Sequence, residues 1–299
     1  VFKPDSATTK LRVVFNASSP SSNGVSLNNI LYTGPVLQSD LTVLVLRWRF
    51  FRYVFNADIE KMYSQILINP DQASFQRILF RKNPNKEVED FELNTFTFGV
   101  NCAPYLAIRT LRMLAEDCNS RYPAASDILL NQMYVDDVLA GSHTLEEALR
   151  NRNELIHVLN SAGFSLRKWT ANNQSLIENL PPDHLLDSEF LKLSDASTTK
   201  TLGLRWNAGN DSFFFKPPTP DCSAVTKRDV LSQIAKLFDP PGWLAPKIVV
   251  AKIFMQQIWK DKTEWDECLK PMTLKSWLAF VDYYSNIERI NIPRWVEYN

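Results

Sequence analysis

Histidine and cysteine are scarce in this chain of 299 residues, which carries three of the first and four of the second. Cys102, Cys118, Cys222 and Cys268 are scattered without a Cys-x-x-Cys pair. Neither a zinc ribbon nor a disulfide framework is indicated, and the usage suits a reducing compartment. His143, His157 and His184 form no His-Glu-x-x-His pattern, which leaves a zinc protease unsupported. No apolar run approaches the roughly 20 residues of a membrane span, and no signal peptide opens the chain. Neither charge sign is in excess, since 33 Lys plus Arg balance 33 Asp plus Glu. Global electrostatics therefore gives no pull toward nucleic acid, although a neutral protein can hold a basic cleft. Internal repeats and low-complexity tracts are also lacking. The first residue is Val, which reads as a piece of a longer chain.

What is present is ordinary globular composition, 45% hydrophobic and 22% charged, in a chain long enough for two or more subdomains. The pattern predicts strands at 11–16, 53–59 and 65–68, then a hairpin flanking KNPNKEVED. A helix is expected from Pro104 to Arg121, closed by Tyr122 and Pro123, followed by a hairpin over 128–142. Thr144 and Glu147 read as a capping box for a helix over 145–162 that ends at Gly163. Short strands are expected near 164, at 201–206 and at 212–216. Helices are expected near 226–238, 246–261 and 273–288, with Thr226 and Asp229 as a cap. LPPDHLLDS breaks the pattern, so a boundary falls near 175–200.

The hairpin at 128–142, ILLNQMYVDDVLAGS, sets two carboxylates, Asp136 and Asp137, at its turn. Hairpin turns favour residues that accept positive φ, and adjacent like charges repel. A solvated turn explains the pair if it stands alone; a divalent-cation site explains it if a third carboxylate is near. The element order from strand 53–59 to the strand near 164 is β-α-β-β-α-β, the ferredoxin-like arrangement, with an insertion after the first strand. That topology brings the end of strand 53–59, which carries Asp58, to the same sheet rim as the turn. Three carboxylates there suit two magnesium ions roughly 3.5–4 Å apart, the arrangement for nucleotidyl transfer.

YVDD, preceded by DIEKMYSQI and FTFGVNCAPYLA, looks like a reverse transcriptase. With TTKLRVVFNAS before them and TKRDVLSQIAKLFDPPGWLAPKIVVAKIFMQQIWKDKTEWDE after, the ordered set most resembles the BEL/Pao class of LTR retrotransposons, over nearly the whole chain. The resemblance implies an α+β polymerase right hand. Its parts are partial fingers and a ferredoxin-like palm in 1–175, then a mostly helical thumb and connection in 176–299, with RNase H expected downstream. It implies Asp58, Asp136 and Asp137 as metal ligands with the Ile59 carbonyl, and Lys168 as the proton donor to pyrophosphate. Lys10 and Arg12 would hold the triphosphate. Tyr63 would be the aromatic gate against a ribose 2′ hydroxyl, with Phe98 and Gly99 under the nucleotide and template. Leu202 and Gly203 would form the primer grip. For each charged residue an exposed strand charge is the plain alternative, and for Tyr63 a core aromatic. The family's Asp after VVF is Asn16 here, which removes a negative charge beside the nucleotide without removing a metal ligand.

The expected activity is RNA-directed and DNA-directed DNA synthesis with two Mg2+ ions, Mn2+ serving as a substitute. Expected partners are RNA or DNA template-primer, dNTPs, and the RNase H, protease and integrase parts of one polyprotein, with no membrane. The expected setting is intracellular, a cytoplasmic virus-like particle with a nuclear phase. Two rivals stand beside this reading. One is an inactive relic or co-opted fragment that binds nucleic acid or protein; the other is a different two-metal phosphoryl enzyme, such as a nuclease.

Overall fold

The computed structural model describes residues 11, 13–186, 198–201, 204–216, 225–236 and 238–297. In chain order, the helices of two turns or more are α1 (Leu41–Phe50), α2 (Ala103–Cys118), α3 (Pro123–Asn131), α4 (Leu145–Ser161), α5 (Lys227–Ala235), α6 (Ala245–Lys260) and α7 (Pro271–Ser285). The strands are β1 (Tyr53–Ile59), β2 (Arg77–Phe80), β3 (Glu89–Glu92), β4 (Met133–Tyr134), β5 (Asp137–Ser142), β6 (Leu166–Ala171), β7 (Thr198–Thr201), β8 (Leu204–Asn207), β9 (Ser212–Phe214) and β10 (Asn291–Pro293). The fold is mixed helix and sheet, as the α+β expectation requires. It divides into two compact units. The first comprises Val1–Asp40, Ala57–Ala140 and Glu146–Trp169, and the second Leu41–Asn56, Gly141–Leu145 and Thr170–Asn299.

A four-stranded sheet in the order β4-β5-β1-β6 carries the first unit. Read with α2, α3 and α4, this is the ferredoxin-like strand order. The Ile59 amide donates to the Asp136 carbonyl (2.9 Å), and the Glu60 amide to the Ser165 carbonyl (2.9 Å). These bonds fix the register at the rim where β1 ends. β1 buries Val54, Phe55, Ala57 and Ile59, which leaves Asp58 on the less covered face. α2 packs through Ala103, Ala107, Leu111 and Ala115, a stripe of mostly small residues at four-residue spacing that lets a neighbour approach closely. α4 opens with Glu146 and Glu147 in its first turn, where the helix dipole favours negative charge. It ends at Gly163 (φ +83°), whose left-handed backbone lets the Phe164 amide return to the Leu159 carbonyl at 2.9 Å. β2 and β3 form the expected antiparallel hairpin.

Three sequence expectations in this unit fail locally. Residues 128–131 are the end of α3 rather than a strand, because Pro123 starts a new helix with its φ already fixed and Ala125, Ile128 and Leu129 line one helical face. Residues 13–16 form no strand, although the Phe15 amide donates to the Phe98 carbonyl (3.0 Å). Residues 65–68 carry only a bridge from Leu67 to Thr95, since Met62–Gln65 has already closed into a helical turn.

In the second unit β10-β9-β8-β7 form an antiparallel sheet. Among the described residues the region after 176 therefore carries a four-stranded sheet besides helices α5, α6 and α7. Trp48 of α1 is buried against Trp206 (ring centroids 4.7 Å) and Phe213 (6.1 Å). Arg294, fully buried, donates through Nε and Nη2 to both carboxylate oxygens of Asp211, at 2.6 and 2.7 Å. Its Nη1 donates to the carbonyls of Trp48 and Phe51, both at 2.7 Å. α5 begins in the expected box, with Thr226 Oγ1 and the Asp229 carboxylate satisfying each other's backbone amides. Val230, Met255, Ile258, Leu269 and Trp277 make the apolar cluster joining α5, α6 and α7. Among the described residues no helix is long and apolar enough to cross a membrane.

Candidate active site

β4 and β5 meet in a two-residue turn, with Tyr134 paired to Asp137 and Val135–Asp136 at the tip. Val135 stands at φ +55°, a conformation that a β-branched residue strongly resists. Two backbone hydrogen-bonding groups flanking Tyr134 are met by one side chain from outside the hairpin. Gln38 Oε1 accepts from the Val135 amide (2.8 Å), and Gln38 Nε2 donates to the Met133 carbonyl (3.1 Å). Lys61 (φ +49°) and Lys168 (φ +54°) are also left-handed, so three strained non-glycine residues surround one rim. Backbone strain of this kind persists where surrounding structure over-determines it, and it clusters at functional sites.

Asp58 sits at the end of β1 with its side chain largely buried. Its Oδ2 accepts from the Lys168 ammonium, whereas its buried Oδ1 has no hydrogen-bond donor. Burial pushes the Asp137 carboxyl up to about 7, the charges of Asp136 and Asp58 adding to the rise and Lys168 opposing it. Next to this group Arg167 Nε donates to Glu60 Oε2 at 3.0 Å. Burial works to raise the Glu60 carboxyl, but that bond and the charges of Arg167 and Lys61 hold it below its ordinary value.

These residues open onto a cleft of ≈ 440 Å³, lined by Asp58, Glu60, Lys61, Tyr63, Phe98, Asp136, Arg167 and Lys168, with Val13 and Phe15 on one wall. Its volume lies in the range of small-ligand sites. The Tyr63 and Phe98 rings stand 4.9 Å apart, and Phe98 is exposed. Burial raises the Tyr63 hydroxyl's pKa, and the Asp136 charge raises it further. Gly99, at φ +107°, passes so close to Phe15 that a Cβ would lie 1.9 Å from the Phe15 carbonyl oxygen. Only glycine fits there, because the chain itself comes close. Asn28 locks the same loop, donating to the Gly99 carbonyl (3.0 Å) and accepting from the Asn101 amide (3.0 Å).

The fold thus gathers Asp58, Ile59, Tyr63, Phe98, Asp136 and Lys168 around one cleft. Asp137 is close enough for its neighbours' charge to be felt, but it does not line the cleft. Lys10, Arg12, Leu202 and Gly203 lie outside the described residues. As the side chains stand, no group of three His, Cys, Asp or Glu among the described residues is placed to hold a metal ion. The donor chemistry nonetheless fits a hard cation. All candidate ligands are oxygens, Asp58 Oδ1 is desolvated without a donor, and Asp137 is pushed toward its neutral form by burial and, after that, by the negative charges of Asp136 and Asp58. Collecting all three carboxylates on an ion requires side-chain rotation. Sequence reasoning missed Gln38, Asn28 and the Glu60–Arg167 pair, for which no motif or periodicity gave a signal.

Residues 226–299 match a family model described as the Pao retrotransposon-like RNaseH-like domain. The match supports a place in a BEL/Pao retrotransposon polyprotein and covers less than half of the chain. Its description differs from the thumb and connection expected for this stretch, whose described residues hold three α-helices, a short 3-10 helix and the short strand β10. No curated protein matches the chain.

Proposed function

We propose that this chain is the reverse transcriptase region of a BEL/Pao retrotransposon polyprotein. It would extend a primer 3′ hydroxyl with dNTPs on an RNA or DNA template. One observation carries the reading: Asp58 and Asp136 share one rim of a ferredoxin-like sheet, tied by the Ile59–Asp136 backbone bond, beside a nucleotide-sized cleft walled by Tyr63 and Phe98. In this reading 1–175 are partial fingers and palm, and 176–299 are thumb and connection, within a polymerase right hand.

Asp58 and Asp136, with Asp137 and the Ile59 carbonyl, would hold Mg2+ or Mn2+. When bound, two such ions lower the pKa of the primer hydroxyl and offset triphosphate charge. Tyr63, packed beside Phe98, is the proposed gate against a ribose 2′ hydroxyl. Lys168, whose ammonium meets Asp58, becomes available to protonate leaving pyrophosphate once that carboxylate is otherwise engaged. Lys10 and Arg12 are the proposed triphosphate contacts, and Leu202 and Gly203 the proposed primer grip. Template affinity from local Lys and Arg should fall as salt rises.

The test is primer extension on an RNA template with dNTPs and Mg2+, comparing wild type with Asp136→Asn. Extension lost in the variant supports the polymerase, and a full-rate variant overturns it. The Lys168–Asp58 ion pair also favours a second reading, a non-catalytic relic, because it neutralises an acidic group internally. Asn16 points the same way. A folded wild type that neither extends primers nor responds to Mg2+ would select that reading.

A further inference from the structure

We infer that Gln38 is a positioning residue that sets the direction of Asp136 by holding Val135 in its left-handed conformation; this rests on the polymerase reading. β4 is the edge of its sheet, so its outer hydrogen-bonding groups have no strand partner among the described residues. The Gln38 amide takes that part. It accepts from the Val135 amide at 2.8 Å and donates to the Met133 carbonyl at 3.1 Å, imitating the C=O and N–H that one residue of a fifth strand would present. Gln38 lies in the non-helical run after residue 31, which is itself anchored: Arg112 Nη2 of α2 donates to the Leu37 carbonyl at 2.6 Å. The clamp's base is thereby tied to α2.

Consequences for the site follow from the turn's geometry. Of the two tip residues only Val135 has positive φ, and a valine there relaxes to an ordinary conformation unless something opposes it. Rotation about Val135 carries Asp136 with it, both its carboxylate and the carbonyl that accepts from Ile59. Holding Val135 thus holds Asp136 against the end of β1. Loss of the clamp should slow the chemical step while leaving template binding in place.

The test compares Gln38→Met, which keeps the side chain's length but neither hydrogen bond, with wild type and with Gln38→Met/Val135→Gly, in which glycine accepts positive φ without strain. Two readouts are used: hydrogen exchange at the Val135 amide, and kcat against KM for template-primer in Mg2+. The expected result is at least about tenfold faster exchange and at least about tenfold lower kcat in Gln38→Met, with KM within about twofold. The glycine variant should recover at least about half of the lost kcat. Wild-type exchange and kcat in Gln38→Met would overturn the inference, as would a change confined to KM. If wild type does not extend primers, the polymerase reading falls and exchange alone decides the clamp: slow exchange persisting in Gln38→Met overturns it, and faster exchange supports it.

Discussion

Lys168 sets its ammonium on Asp58 from a backbone at φ +54°, so one of the two acids at the sheet rim already carries a counter-charge. The pair is partly exposed, Lys168 more so than Asp58, and solvent screening reduces its worth. Removing the lysine leaves a largely buried carboxylate with no donor on either oxygen. Lys168→Met should lower stability in EDTA by about 1–2 kcal/mol at neutral pH. Mg2+ should recover most of that loss, because a dication replaces the missing charge. Urea denaturation with and without Mg2+ checks both halves. An unchanged midpoint in EDTA would show that the pair contributes nothing.

Asp137 predicts a pH dependence of opposite sign to that of a salt-bridged acid. Its carboxyl ionises near 3.8 when unperturbed and near 7 in the fold, so the native state binds more protons than the unfolded chain between those values. Stability from this residue is therefore full below about pH 3.8, falls as pH rises, and levels above about 7. Asp137→Asn should flatten that slope and, in EDTA at pH 8, be more stable than wild type by an amount on the order of a few kcal/mol, with a correspondingly higher melting temperature. At pH 3 the two should nearly coincide. Melting temperature against pH in EDTA is the measurement, and parallel curves would remove Asp137 from the charge cluster.

Tyr63 makes a selectivity prediction. Its ring is held 4.9 Å from Phe98, inside the cleft that also holds Asp58 and Asp136. A rigid ring discriminates by clash, an effect that truncation removes without improving the correct substrate. Tyr63→Ala should raise ribonucleotide incorporation relative to deoxynucleotide by at least about tenfold, while Tyr63→Phe should leave the ratio within about twofold. Competitive single-nucleotide extension measures the ratio. An unchanged ratio in Tyr63→Ala would assign the ring to packing alone.

The sheet was legible because its signals are local and its topology is constrained. Strand 53–59 matches the sequence expectation residue for residue, and the two-helix crossover order then places Asp58 and the turn at one rim. Residues 128–131 misled because a short apolar run fits a strand or a buried helix end, and only Pro123 at the first helical position decides it. Gln38 was illegible for a different reason. Its hydrogen bonds join positions almost a hundred residues apart, and no pattern of spacing or composition encodes which amide will face which turn. The left-handed backbone of Val135 was hidden likewise, since valine is the last residue a turn rule would place there.

The same long-range character governs Arg294, whose guanidinium ties the end of the described chain to α1. It pairs with both oxygens of Asp211 and caps carbonyls of Trp48 and Phe51 that would otherwise have to find water. A buried pair of this kind contributes little against an apolar replacement, but breaking it from one side strands the other charge. Arg294→Met should therefore cost about 3–5 kcal/mol of stability. The double variant Arg294→Met/Asp211→Asn should lose less than the two single variants added together, because the second change removes the stranded carboxylate. Strict additivity would mean the two side chains act independently. Both single variants should leave the Val135 amide's exchange at its wild-type rate relative to global unfolding, since the bonds that hold the turn run to Gln38 and Ile59.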